Sequence, residues 1–210
     1  MSNTPKRKGS TPTTTQKRRT QLPTVETARR PNPWPKRLAY LGGLGLVLVI
    51  LGGVFLGGGD EDLPDGPPAG VQELAVGTGE HVEGEIPYDD AVPAGGPHNP
   101  VWLNCGFYDS EVPAENAVHA LEHGAVWITY RDDVAQADVD ALRSLTRNRP
   151  QLIVSLVPGL DTELRATAWG VNLKLDAYDD VTLRQFIRYY TDRTAPEPAA
   201  NCQGGVGNPA

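Results

Sequence analysis

The chain has 210 residues, enough for one ordinary domain with appendages, and its formal net charge is −7. That value conceals an asymmetry: residues 1–37 contain ten of the 19 Lys and Arg residues and one acid, whereas the remainder holds the other 25 acids. The body is acidic, and the basic arm has neither an aromatic platform nor a recognition motif, so we expect no nucleic-acid partner.

Residues 1–37 are rich in Thr, Pro, Lys and Arg and lack the apolar periodicity of a packed element. They predict a disordered cytoplasmic arm that touches anionic lipid headgroups.

The uncharged run LAYLGGLGLVLVILGGVFLG follows. A helix needs about twenty such residues to cross a hydrocarbon core of roughly 30 Å. No small-residue cleavage site comes after it, which predicts an uncleaved transmembrane signal-anchor helix over residues 38–58.

The flanking charges predict the orientation of this helix. Basic residues precede it and an acidic stretch follows, which places the amino terminus in the cytoplasm and the body outside the cell membrane. Gly53 and Gly57 have the G-x-x-x-G spacing that brings two membrane helices close, so a homodimer through this pair is a further expectation. Residues 59–70, rich in Gly and Pro, predict a linker.

Residues 71–194 predict an extracytoplasmic globular domain. Its first part is turn-rich, with short extended pieces near residues 71–76 and 81–82. The order then predicted is helix, strand, helix, strand, strand and helix, over residues 113–123, 125–130, 132–149, 152–158, 164–176 and 180–193. The last strand is expected to pair antiparallel after the PGLDTE connection. This order predicts an α/β fold (an α+β sandwich), in which helices flank a small sheet.

The two cysteines, Cys105 and Cys202, both lie in the part predicted to be exported. An oxidising environment favours a disulfide between them, which would tether a tail formed by residues 195–210 to the domain. The alternative is that Cys105 is a thiolate metal ligand, because it is close in sequence to His98.

All four histidines of the chain, His81, His98, His119 and His123, fall within 43 residues. His119 and His123 are four positions apart on a predicted helix, so both imidazoles lie on one face. This arrangement predicts a transition-metal site formed by His98, His119 and His123, with His81 as a further candidate. Glu122 is an additional ligand, a base or a solvated charge. The alternative is that these histidines are partly buried and hydrogen-bonded to the backbone.

The methionine content bears on the choice of metal. Met1 is the only methionine, so the soft thioether sites that hold Cu(I) are excluded. Imidazole with carboxylate or water favours one Cu(II) or Zn(II) ion.

HALEH also fits H-x-x-E-H, a zinc-peptidase pattern in which the intervening Glu is the base. In that case Glu122 would be catalytic and Glu163 would be a candidate third ligand. The motif is short, and only about 70 residues follow it before the tail. G-x-S-x-G, P-loop and Rossmann patterns are missing from the sequence. An enzyme is therefore not the leading interpretation.

The motifs GPH (96–98), CGFY (105–108) and HALEHG (119–124), with further positions of residues 71–192, resemble a bacterial domain family of unknown function, common in actinobacteria and their relatives. Members join a basic arm and one membrane helix to an exported domain. The resemblance implies that architecture and no established activity. The sequence here has VPAGGPH where PPTSGPH is more usual. The matching positions are His81, Tyr88, Gly96, Pro97, His98, Cys105, Gly106, Tyr108, His119, Leu121, Glu122, His123 and Gly124.

The sequence thus indicates a single-pass membrane protein whose exported, histidine-containing domain binds copper or zinc for metal handling or sensing. Two alternatives remain open at this point. One is a metal-free envelope scaffold or interaction domain, in which the histidines fix loops. The other is a small zinc hydrolase that uses Glu122.

Overall fold

The computed structural model describes residues 62–198 and 202–210. The predicted basic arm, the membrane helix and the Gly53/Gly57 pair lie outside these ranges. Inside them, no helix is both long and apolar enough to span a bilayer. The described residues belong to one unit, Leu56–Ala210.

The described residues form a six-stranded mixed sheet and three helices, which confirms the predicted α/β class. The spatial order of the strands is β1-β6-β5-β3-β4-β2. Strands β2, β4 and β3 are parallel, and β3, β5, β6 and β1 pair antiparallel in turn. The strands are β1 (Gln72–Glu73), β2 (Gly106–Phe107), β3 (Val126–Tyr130), β4 (Leu152–Leu156), β5 (Leu164–Ala168) and β6 (Val171–Leu175). The helices are α1 (Ala114–Glu122), α2 (Gln136–Leu145) and α3 (Asp180–Tyr190).

Strand β3 lies between two apolar cores, and all five of its residues are buried. Its β-branched and aromatic side chains point alternately to the two faces of the sheet. Val126, Ile128 and Tyr130 pack with apolar residues of α2 and α3. Trp127 packs on the other face, with α1. Helix α1 is therefore held against the sheet by its apolar residues, which fixes the position of the polar groups it carries.

One predicted strand is wrong in extent and partner. Residues 164–176 form two strands, β5 and β6, joined at Trp169 and Gly170 and paired from Ala168 and Val171 onward. Gly170 has φ = 70°, a conformation that favours glycine and lets the chain reverse in two residues. Strand β5 pairs with β3, not with the preceding strand β4. Strand-like apolar residues continue on both sides of Trp169 and Gly170, so the sequence pattern predicts a single strand across this turn.

The last described residues run beside the segment that leads into β2. Cys105 and Cys202 lie at disulfide distance, with 5.3 Å between their Cα atoms. The sulfur of Cys105 thus faces Cys202, and this geometry does not support its alternative role as a metal ligand. Val206 receives a backbone hydrogen bond from Asn104 and donates one to Trp102. The tail is therefore attached by a ladder of backbone bonds as well as by sulfur.

Candidate metal centre

Three separate segments bring four donor groups together on the α1 side of the sheet. His119 and Glu122 project from α1, at i and i+3, while His81 and His98 come from two loops that precede it. One ligand atom from each of these four residues lies within 4.8 Å of all the others. A set of three imidazoles and one carboxylate at this spacing could hold a metal ion.

Individual distances show how closely these groups approach. His98 Nε2 lies 3.0 Å from Glu122 Oε2, and His81 Nε2 lies 3.8 Å from the same oxygen. The ring of His119 lies 4.8 Å, centroid to centroid, from the rings of both His81 and His98. The carboxylate of Glu122 is thus flanked by imidazoles and receives no cationic Lys or Arg contact among the described ion pairs.

Burial divides the four donors into an inner set and one outer member. His98, His119 and Glu122 are 0%, 3% and 6% exposed, respectively. The side chain of His81 is 51% exposed. Buried polar groups need hydrogen-bond partners or a counter-charge, so the inner three require an explanation.

In three histidines, Nδ1 is hydrogen-bonded to a backbone carbonyl oxygen. Nδ1 of His98 bonds the Gly96 oxygen at 2.9 Å. The equivalent bonds of His119 and His123 go to Asn99 at 2.6 Å and Glu197 at 3.1 Å. A carbonyl oxygen only accepts, so each Nδ1 carries the proton and, in a neutral ring, each Nε2 is an acceptor.

As a result, acceptors face acceptors inside the cluster. His98 Nε2 is buried, has no hydrogen-bond donor among the described residues, and faces Glu122 Oε2. His119 Nε2 lies 2.9 Å from His123 Nε2, which is a hydrogen bond only if one ring carries a second proton. Leaving such groups unpaired costs about 1–3 kcal/mol each. A cation or additional protons among these nitrogens would remove that cost.

The acidity of His119 favours the neutral form that binds metals. Burial, the largest cause, lowers the pKa of His119 to about 4, against the opposing effect of its bond to the Asn99 carbonyl. The neighbouring rings of His98, His123 and His81 lower this pKa further. The His119 ring is therefore neutral near pH 7, with Nε2 free of a proton, as a metal ligand must be.

Two backbone hydrogen bonds connect the loop that carries His81 to His98. Val82 N–H donates to the His98 carbonyl at 2.7 Å, and His98 N–H donates to the Glu80 carbonyl at 2.9 Å. A Cβ on Gly79 would collide with the Glu122 carboxylate and would lie 3.4 Å from the His98 ring. Glycine at this position lets the loop backbone approach the carboxylate directly.

Tryptophan rings line two sides of the histidines. The ring centroid of Trp102 lies 5.7 Å from that of His119 and 5.8 Å from that of His123. Trp169 meets the His98 ring edge-on at 5.9 Å. The apolar rings of Trp102 and Trp169 thus pack directly against three of the four histidines.

The structure groups the predicted ligands differently from the sequence analysis. His98 and His119 come together with His81 and Glu122, whereas His123 lies outside this group and contacts it through His119. His123 also belongs to a second group with Glu122 and Glu197. Sequence analysis missed Glu197, because nothing in the tail segment PEPAANC indicates a long-range contact to a helix end.

Glu163, the candidate third ligand of the hydrolase alternative, lies at the far end of β3. Its carbonyl accepts a hydrogen bond from Arg131, which follows β3, whereas His98 contacts Trp169, next to the opposite end of the β3–β5 pair. The two ends of the five-residue strand β3 are about 16 Å apart. Glu122 itself is one of the clustered donor groups. The arrangement therefore does not reproduce the pattern of that alternative.

Comparison with known proteins places the chain in a family. Residues 81–204, a segment that contains all four histidines and both cysteines, match the family model described as "Protein of unknown function (DUF3105)". No curated protein and no solved structure gives a significant match. Because the matched segment exceeds half of the chain, we conclude that this protein belongs to the DUF3105 family.

Proposed function

We propose that the domain binds one Cu(II) or Zn(II) ion through His81, His98, His119 and Glu122, with His123 at the edge of the site. One observation carries the proposal. Of the proposed ligands, His98 and His119 have Nδ1 bonded to backbone carbonyls, as has the neighbouring His123, and the Nε2 atoms of these rings face other acceptors. Metal-binding histidines typically have this arrangement, since a bond to the second nitrogen fixes the tautomer and the ring orientation.

The donor set supports the choice of metal. Three imidazole nitrogens and one carboxylate oxygen suit zinc and Cu(II), and no thioether or free thiol is present among the described residues. The buried carboxylate of Glu122 supplies one negative charge that offsets part of the charge of a divalent ion.

We further propose that this site serves metal handling or sensing outside the cell membrane. The sequence supports an amino-terminal anchor through the uncharged run before the domain and the basic residues that precede it. Protease treatment of intact cells tests this location: an external protease should remove the domain, and complete protection would contradict it.

Metal content is the decisive measurement. The full chain, purified in mild detergent without chelator or histidine tag, is analysed by mass spectrometry for metals beside a His98→Ala/His119→Ala variant. We expect about one copper or zinc ion per wild-type chain and none in the variant. Near-ultraviolet circular dichroism from Trp127, which is buried against α1, checks that the variant folds.

One result would contradict metal binding and favour the metal-free scaffold. If the folded wild-type chain neither retains metal nor takes up added Cu(II) or Zn(II), protons satisfy the buried Nε2 atoms. The histidines would then fix the loops around α1, as expected of a metal-free scaffold domain.

A further inference from the structure

The loop of residues 77–85 forms the outer wall of the donor cluster, and each of its nine residues is exposed. It carries His81, the only one of the four donors that faces solvent. Its sequence, GTGEHVEGE, has three glycines and no side chain in either apolar core. Displacing the loop would therefore leave the sheet and the helices packed.

Few contacts hold this loop over the buried donors. Two backbone hydrogen bonds connect Glu80 and Val82 to His98. A Cβ added to Gly77 would lie 3.7 Å from Gly96 and from Pro97, and a Cβ on Gly79 would collide with Glu122. The remaining donors are fixed differently: His119 and Glu122 belong to α1, and His98 is fully buried. The strength of attachment therefore differs between His81 and its three partners.

The charge around this exposed edge is negative. Glu80, Glu83 and Glu85 flank His81 on the same loop and are all exposed. Acidic groups around a binding site raise the local concentration of cations and accelerate their capture, with an effect that falls as salt rises. A cation that approaches the buried donors from this side meets these carboxylates first.

We propose, on the basis of the metal site inferred above, that His81 is the exchangeable ligand through which the ion is captured and passed on. In this step His81 Nε2 gives up its bond to the ion, and a nitrogen or oxygen donor of the incoming ligand takes that position. His98, His119 and Glu122 keep the ion until the transfer is complete. The step exchanges one neutral donor for another ligand and requires no redox partner.

The kinetics of zinc removal test this proposal. The full chain loaded with one Zn(II) is mixed with increasing excesses of a chromogenic chelator, and the release rate is followed by absorbance. Ligand exchange at an exposed position makes the rate proportional to chelator concentration. His81→Ala, which leaves three donors, should retain stoichiometric zinc and release it at least tenfold faster. Val82→Ala, on the same loop and partly exposed, is the matched control and should release zinc at the wild-type rate.

A second variant tests the acidic edge separately. Glu80→Gln/Glu83→Gln/Glu85→Gln should slow zinc capture several-fold at low ionic strength, and the difference should disappear at 1 M salt. Rates of release should change little, because these side chains are not among the donors.

The outcomes separate this inference from the site itself. A wild-type chain that binds no zinc overturns the proposed function. A chain that binds zinc but releases it at a rate independent of chelator concentration overturns only the role of His81, because exchange would then wait for dissociation from a closed site. Identical release from His81→Ala and wild type would also overturn it.

Discussion

Two polar clusters in this domain differ in how their buried charged groups are paired. Arg165 is 3% exposed, and its guanidinium donates to both oxygens of Asp90 at 2.8 Å and to Asp161 at 2.7 Å. Lys174 completes this set by pairing with Asp161. In the donor cluster, the Glu122 carboxylate instead faces the acceptor His98 Nε2 and has no Lys or Arg partner among the described ion pairs.

The difference shows that burial alone does not identify a metal centre. The Arg165 cluster contains two cations and two carboxylates, so its charges cancel within the protein. The donor cluster has one carboxylate and no permanent cation. Among the described residues, only the second arrangement lacks a permanent positive charge, and this difference is the reason for proposing a bound cation there.

The largest effect should follow from removing that single negative donor. Glu122→Gln keeps the size of the side chain but replaces a carboxylate ligand with an amide, so Cu(II) or Zn(II) affinity should fall about 100-fold or more. Competition titration with a chelator of known affinity measures the change. Asp161→Asn, the same chemical change in the Arg165 cluster, should leave the affinity within about twofold. Equal losses in both variants would contradict the assignment.

The contributions of the two clusters to folding stability should also be lost in different pH ranges. The pKa of His119 is lowered from 6.5 to about 4, so below pH 6.5 the unfolded chain binds a proton that the metal-free fold does not. Stability should therefore fall as the pH drops from 6.5 to 4, by about 3 kcal/mol at most for this shift. Hydrogen bonds from Lys174 and Arg165 lower the pKa of Asp161 from 3.8 to about 2, so its contribution should be lost only below pH 3.8.

Urea denaturation of the metal-free protein at a series of pH values measures both ranges. The variant His119→Gln should flatten the slope between pH 6.5 and 4 and leave the slope below pH 3.8 unchanged. An unaltered slope in this variant would show that other groups cause the acid sensitivity.

The smallest expected effect is on the stability of the metal-free fold, which the same chemical change should raise in one cluster and lower in the other. In the metal-free fold, Glu122→Gln supplies an amide N–H opposite His98 Nε2, so it should stabilise the domain by about 1 kcal/mol. Asp161→Asn removes a charge partner of Arg165 and Lys174 and should destabilise it by a similar amount, since Asp161 is half exposed. Thermal unfolding in the presence of chelator measures both. Destabilisation by Glu122→Gln would mean that Glu122 already has a proton or a donor.

Local patterns were sufficient to predict part of this molecule. The helix that carries His119 and Glu122 has Pro113 before it and Gly124 after it, and its bounds follow from those signals. The i,i+4 spacing of His119 and His123 correctly placed both rings near each other. Sequence analysis also identified an extended piece near His81, which forms an isolated bridge with His98.

The composition of the donor group depended on contacts that no local pattern records. The approach of His81 to Glu122 requires the loop to pair with His98 and requires Gly79 to lie on the carboxylate. Similarly, the tautomer of His123 depends on the carbonyl of Glu197, which is 74 residues away in sequence. Tertiary contacts between irregular segments decide such arrangements, and irregular segments lack the periodicity on which prediction rests.

The attachment of the tail has a consequence for the order of events during synthesis. The His123 ring is oriented by Glu197, and the disulfide partner Cys202 follows Cys105 by 97 residues. On the ribosome Glu197 and Cys202 emerge after all four histidines, so His123 is synthesised before the residue that orients its ring. Orientation of the His123 ring and closure of the disulfide are thus late steps, and a chain interrupted before residue 197 would lack the carbonyl that orients His123.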